Sequence, residues 1–315
     1  MTDISVSVII AAYEQHEFLP LLLQSLARQT YEGPFEVIVC DDGSDPRLMS
    51  LVTRAARPGL NLRYVWQPNR GPRVSRSRNN GLRMAENELV ICLDGDVVAP
   101  PDLIARHVAA HTREPRLVMG SRRRLHFDRS EWPSLAGRLW DELYEQLITL
   151  PHVADREFQS ELFHSDYPWS ACMGCNVSVY PREAASFDEA FICWGLEDTE
   201  LALRLGRQGT SLHFDADLEV IHLEWGDINN PNSALRPSTD ASIRLFVTGA
   251  VHFVEKYPGE DLYPIKASLA FYDYDAAKDE WSLIKPTFTL GTEERAYERA
   301  RHWVAAQAAG EPAGK

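Results

Sequence analysis

The residues best suited to chemistry are carboxylates that directly follow apolar runs. Leu89-Val90-Ile91-Cys92-Leu93 leads into Asp94-Gly95-Asp96. Two carboxylates flanking a glycine suit a hard divalent cation such as Mg²⁺ or Mn²⁺. Such an ion takes one or two protein carboxylates and fills its shell with phosphate oxygens and water. A plain acidic turn is the alternative, and the all-apolar run before the pair weighs against it. A second acidic pair, Asp41-Asp42-Gly43-Ser44, follows the run Phe35–Cys40. A carboxylate there can accept hydrogen bonds from a base N–H or from ribose hydroxyls. The same residues read equally as a tight turn with a helix cap.

A third group is Trp194-Gly195-Leu196-Glu197-Asp198-Thr199-Glu200. Adjacent helical residues face different ways, so Glu197 and Asp198 can divide acceptor binding from proton removal. Trp194 offers an aromatic face for a sugar ring. Acidic residues in a first helical turn are also ordinary partners of the helix dipole. His222, within Val220-Ile221-His222-Leu223, can join aspartate on Mn²⁺ as a neutral imidazole, or be a satisfied core histidine. His213 is a weaker competitor. Arg70, Arg73, Arg76 and Arg78 form a basic stretch that could meet a diphosphate or pair with the acidic loops.

Elements with a regular order must position these groups. Val6–Ala12, Phe35–Cys40, Leu62–Trp66, Leu89–Leu93 and Leu117–Gly120 read as short buried strands. Helical patterns lie between them. Leucines 19, 22, 23 and 26 form one stripe in Phe18–Gln29. Asp45-Pro46 opens a second helix with a cap and a first-turn proline, and Arg76–Ala85 and Pro101–Thr112 follow. The alternation implies an α/β fold with a mainly parallel, Rossmann-like sheet flanked by helices, whose ligands bind beyond the carboxyl ends of the strands. Residues 122–165 show no clear strand order and read as an insertion or acceptor-side segment. Asn176–Tyr180 and Leu218–Leu223 read as strands around a helix from Glu197 to Gln208. The last stretch is mostly helical, best in Ser242–Tyr257 and Glu293–Gln307. The expected division is a catalytic unit over 1–235, with a nucleotide-binding half 1–121 and an acceptor-binding half 122–235. A helical C-terminal extension follows over 236–315.

Composition narrows the classes. A net charge of −14 over 315 residues argues against wrapping nucleic acid or lying on an anionic membrane. Arg122-Arg123-Arg124 remains a local basic spot, read as a solvated run. No stretch approaches the ~20 apolar residues of a membrane span. The first residues run straight into a strand pattern, so no signal peptide is expected. Five cysteines are scattered, and Cys172-Met173-Gly174-Cys175 lacks the second pair that a zinc site wants. Cys40 and Cys92 read as buried thiols, and a reduced, cytoplasmic setting fits. A homodimer is left open.

Taken together, the motifs resemble the inverting family 2 glycosyltransferases of GT-A fold. The resemblance rests on Val6-Ser7-Val8-Ile9-Ile10-Ala11-Ala12-Tyr13, on Glu36 to Ser44 as a nucleoside-binding segment, on Arg78-Asn79-Asn80-Gly81 and on Asp94-Gly95-Asp96 as a DxD motif. Gly174-Cys175-Asn176, Phe187-Asp188 and Trp194 to Asp198 are similar to the galactosyltransferase and chondroitin-polymerase branch. Ala11 stands where the family usually has proline. The resemblance implies a UDP-sugar donor, a hydroxyl acceptor, Mn²⁺ or Mg²⁺, and inversion at the anomeric carbon. It implies donor contacts from Ala11, Tyr13, Glu14, Asp42, Arg78, Asp94, Gly95 and Gly174. It assigns the metal to Asp96 and His222, the base to Asp198 with Glu197 beside it, and acceptor contacts to Trp194 and Glu197. Rival readings are a polyprenyl-phosphate sugar synthase, which shares the N-terminal half, and an inactive nucleotide-sugar-binding module.

Overall fold

Four apolar runs form the strands expected of them: β1 (Val6–Ala12), β2 (Phe35–Asp41), β3 (Leu62–Trp66) and β4 (Leu89–Asp94). They lie parallel in the order β3-β2-β1-β4. Their crossovers are α1 (Leu19–Leu26), α2 (Pro46–Ala55) and α3 (Val74–Met84). The Asp45 carboxylate caps α2 by accepting the Arg47 N–H at 2.8 Å. The computed structural model describes residues 4–55, 60–111, 114–130, 132–136, 138–192, 195–226 and 237–309. The expected division at 235 and 236 lies outside them.

Beyond β4 the sheet departs from simple alternation. After β5 (Val97–Val98) and α4 (Leu103–Ala110) comes β6, which runs from Arg116 to Phe127 rather than ending at Gly120. The helices α5 (Trp132–Ala136), α6 (Trp140–Thr149) and α7 (Arg156–Phe163) follow, with β7 (Val153–Ala154) between the last two. Next are β8 (Asn176–Tyr180), α8 (Glu197–Arg207) and β9 (Ser211–Trp225). The sheet order is β3-β2-β1-β4-β8-β6-β9-β5, with β7 on β6. Strand β8 runs antiparallel to both β4 and β6, while β6 and β9 are parallel. The sheet is therefore parallel from β3 through β2 and β1 to β4 and mixed beyond it.

The Arg122–Arg124 run is a correction to the sequence reading. These arginines are strand residues, not a solvated loop. Arg122 and Arg124 pair with Asp155 at 2.8 and 3.0 Å, Arg123 pairs with Glu219, and Arg124 is 1% exposed. Charge in a strand hid the strand, because its compensating acids lie far along the chain. Next to this run the β6–β9 register slips between Gly120 and Ser121. The buried Asn176 side chain spans the slip by donating to the Ser121 and Leu218 carbonyls at 2.9 and 2.8 Å. A Cβ on Gly120 would collide with that amide.

Each sheet face carries its own core. One packs Val8, Ile10, Leu22, Val39 and Ile91 under α1, α2 and α4. The other packs Ile9, Ile38, Val90, Val177 and Leu201 together with C-terminal residues Ile243, Val247 and Trp303. Fully burying one such aliphatic side chain contributes roughly 1.5–3 kcal/mol. The C-terminal elements are α9 (Asp240–Lys256), α10 (Tyr263–Leu269), the hairpin β10 (Tyr272–Asp275) and β11 (Glu280–Leu283), and α11 (Thr292–Ala309). Thr239 and Ser242 close a capping box at the start of α9. The hairpin was not expected from the helical pattern; Trp281 packs edge-on to Trp303, with centroids 5.6 Å apart. Among the described residues no helix is long and apolar enough to cross a membrane.

Candidate active site

Strand β4 delivers Asp94 to its carboxyl end, and the short β5 pairs Val97 with His222 of β9. That register brings the Asp94-Gly95-Asp96 loop to the histidine. Ligand atoms of Asp94, Asp96 and His222 all lie within 4.8 Å of one another. His222 Nε2 is 3.4 Å from Asp96 Oδ1, and its Nδ1 is 3.2 Å from Glu224 Oε1. Gln15 Nε2 donates to Asp96 Oδ2 at 3.0 Å. Asp96 Oδ1 is buried with no hydrogen-bond partner, an arrangement costly without a cation and natural with one. The donor set, two carboxylates and an imidazole, fits Mn²⁺ or Mg²⁺.

The charges around this cluster interlock. Burial raises the Asp96 pKa, against the opposing pull of His222. Burial alone would lower the His222 pKa, but Asp96 and Glu224 outweigh it and raise it. Burial would likewise raise Glu224, yet His222, Arg124 and Arg122 hold it below its ordinary value.

A second set centres on Arg78 of α3, a side chain 2% exposed. It donates to Asp94 at 2.7 Å and to Glu197 at 2.8 Å, and lies over the Phe187 ring. Burial would lower its pKa, but the two carboxylates raise it, so it stays charged. A Cβ on Gly174 would stand 2.7 Å from its guanidinium. Burial, then the neighbouring Asp198, raises the Glu197 pKa to about 7 against the pull of Arg78. The free Glu197 oxygen, Oε2, is buried and lacks a hydrogen-bond partner.

Helix α8 is entered through two left-handed residues, Gly195 (φ 81°) and Leu196 (φ 80°). A left-handed leucine costs roughly 1–2 kcal/mol, a strain characteristic of functional turns. The turn aims Glu197 inward and leaves Asp198 half-buried. Asp198 accepts the Gly174 N–H at 2.6 Å and the Thr199 N–H at 2.7 Å. The two neighbours thus face different partners, as their helical spacing implies.

These groups share one cleft of about 780 Å³. Of the expected residues, Ala11, Tyr13, Asp42, Arg78, Asp94, Gly95, Asp96, Gly174, Glu197 and Asp198 line it. His222 stands behind Asp96. Asp42 accepts from Gln67 Nε2 and the Arg73 N–H, both at 2.6 Å. Tyr13 is half-exposed, and its hydroxyl accepts from Asn69 at 3.0 Å. Glu14, expected at the donor, does not line the cleft. It has a left-handed backbone (φ 53°), and its carboxylate turns to the Asp45 N–H and to His16. Trp194 lies outside the described residues. Exposed His213 on β9 joins no cluster. Cys40, Cys92, Cys172 and Cys175 are buried free thiols. Cys172 and Cys175 pack into the cores of opposite sheet faces.

Sequence reasoning missed Gln15, Glu224 and a second cleft wall. That wall is built by Phe158 and Leu162 of α7 and by Phe246, Ile265 and Tyr272 from the C-terminal elements. Spacing offered one signal, since Glu224 sits two residues from His222 on the same strand face. The other groups come from distant segments.

Residues 7–183 match the family described as Glycosyl transferase family 2, and residues 155–221 match one described as N-terminal domain of galactosyltransferase. Validoxylamine A glucosyltransferase of Streptomyces hygroscopicus subsp. limoneus is 31% identical over 269 residues, covering 80% of this chain and 56% of the relative. Hyaluronan synthase of Pasteurella multocida is 30% identical over 228 residues, 66% of this chain and 23% of that protein. The chain thus spans little more than half the length of the first and under a quarter of the second. Among solved structures, S. aureus TarS superposes with a TM-score of 0.53 at 18% identity, over 84% of this chain and 42% of TarS. TarS 1–349 in complex with UDP-GlcNAc gives 0.52 at 18% identity, over 84% and 70%. At these identities the structures establish the fold, and it is the GT-A glycosyltransferase fold.

Proposed function

The chain belongs to glycosyltransferase family 2, and from that premise we propose a metal-dependent, inverting transferase that moves a hexose or N-acetylhexosamine from a UDP-sugar to an acceptor hydroxyl. One observation carries the reading: the Asp94–Asp96–His222 cluster and the Asp198 carboxylate meet at a single cleft. Asp96 and His222 would hold Mn²⁺ or Mg²⁺, with Asp94 nearer the ribose. Bound there, the ion supplies charge neutralisation at the departing diphosphate. Ala11, Tyr13, Asp42, Gly95 and Gly174 form the donor side. Arg78 holds Asp94 and Glu197 in register between the donor and the base. Asp198, fixed by the Gly174 and Thr199 N–H groups, takes the acceptor proton as the hydroxyl oxygen bonds to the anomeric carbon. The bond to the diphosphate breaks on the opposite face, so the configuration inverts. A reduced, cytoplasmic setting accords with the four buried thiols.

A donor screen by thermal unfolding tests the reading. With Mn²⁺ and a UDP-sugar at about 100 times Kd, the native state gains about 2.7 kcal/mol. That is a shift of several degrees, which EDTA should abolish. A shift unchanged by EDTA, or a larger one with GDP- or dTDP-sugars, would overturn the metal or the nucleotide assignment respectively.

A further inference from the structure

The cleft has two unlike walls. Five carboxylates reach it: Asp42, Asp94, Asp96, Glu197 and Asp198. The cations among the described cleft residues are Arg78 and Arg122. Arg78 is bound to Asp94 and Glu197, and Arg122 to Asp155 at 2.8 Å. Neither of these two lining arginines is left to receive an anion beside Asp198, and Arg70 and Arg73 border the cleft at its Asp42 end, on the donor side. A bound metal ion would not change this, because the donor diphosphate consumes its charge. The opposite wall is apolar. Phe158 is 55% exposed at the rim, and Leu162, Phe246, Pro264, Ile265 and the Tyr272 ring continue the surface inward. Tyr167 stacks on Tyr263 at 6.2 Å, which joins the α7 side of this wall to the α10 side.

We infer that the acceptor is an uncharged or amine-bearing hydroxylated compound with a flat apolar ring, seated on the Phe158–Ile265 wall with its hydroxyl at Asp198. Uronate-terminated glycans and polyprenyl phosphates are disfavoured, because they would bring an uncompensated anion beside Asp198 and Glu197. The inference rests on the glycosyltransferase reading and narrows its acceptor.

The test is binding to the full chain, followed by saturation-transfer NMR with and without Mn²⁺ and UDP. The probes are 4-nitrophenyl β-glucoside, its glucuronide, which differs by one carboxylate, and farnesyl phosphate. The glucoside should bind saturably to the loaded protein, with the glucuronide and farnesyl phosphate weaker by at least about tenfold. Ser268→Arg, on the cleft face of α10, should narrow or reverse the glucuronide penalty. Phe158→Ala, at a site 55% exposed, should weaken glucoside binding at least about threefold and leave UDP affinity unchanged. Either anion binding wild type as tightly as the glucoside would overturn the inference, as would no saturable glucoside binding to the loaded protein. Failure of Mn²⁺ and UDP to bind at all would overturn the donor reading instead, and the two failures are read in separate titrations.

Discussion

Replacing Arg78 with glutamine removes two ion pairs, at 2.7 and 2.8 Å, from a side chain 2% exposed. The two abandoned carboxylates fare differently. Asp94 is 34% exposed and regains water, whereas Glu197 is 5% exposed and cannot. The cost is therefore that of one buried pair broken from one side, about 3–5 kcal/mol. Glu197 also sets a pH dependence. Its pKa in the folded protein, about 7, lies above the ordinary 4.5. Its contribution to stability is thus fully present below pH 4.5 and lost as pH rises through 7. Without Arg78, which lowers that value, the window extends upward and the variant suffers most in alkali. Urea unfolding of wild type, R78Q, E197Q and the double variant at about pH 8 and about pH 5.5 measures all of this. R78Q should lose about 3–5 kcal/mol at the higher pH and less at the lower. The double variant should be more stable than R78Q alone, with a coupling above about 1.5 kcal/mol. An R78Q loss below about 1 kcal/mol, or simple additivity, would refute the claim that Arg78 is the buried clamp between strand β4 and helix α8.

Three further outcomes follow. Asp198→Asn keeps shape and removes basicity, so turnover should fall about 10²-fold or more with UDP-sugar affinity nearly intact; near-normal turnover would reduce the pair to a helix-opening acidic turn. His222→Ala should weaken Mn²⁺ affinity by calorimetry, with partial recovery of activity in excess Mn²⁺. Normal metal affinity with a lowered melting temperature would mark His222 as a core residue. Burial pushes His107 down to about 4 and His111 to about 3 from 6.5, and both share the Ser178 hydroxyl near the β6–β9 slip. Below pH 6.5 the unfolded chain takes up protons that the folded one refuses, so stability should hold above that pH and fall toward pH 4, by up to about 1.36 kcal/mol per pH unit per group. A melting temperature flat across that window would contradict the burial of these rings as neutral bases.

Much of the parallel half of the sheet was legible, because its strands are largely apolar runs that end in a carboxylate or a turn. Asp42, Asp94 and Asp96 stand at strand ends and line the cleft, although the residues around Asp42 read equally as a tight turn. His222 was legible only through family resemblance, since a histidine in an apolar strand is ambiguous until the Val97 register supplies its neighbour. The Arg122–Arg124 strand was hidden because its apolar pattern is broken by charges whose partners, Asp155 and Glu219, are remote in sequence. Glu14 turns away from the cleft at a left-handed residue, a change of direction that the strand before it does not announce. The apolar cleft wall assembles from α7, α9, α10 and β10, and no local period announces that four separated elements share one surface.

The most direct test of the central claim is the anomeric configuration of the product. Transfer from an α-linked UDP-sugar, followed by NMR through the anomeric coupling constant, should give a β-glycoside in Mn²⁺ and no product in excess EDTA. An α-linked product would contradict single displacement with Asp198 as base, and undiminished transfer in EDTA would contradict the role of Asp96 and His222.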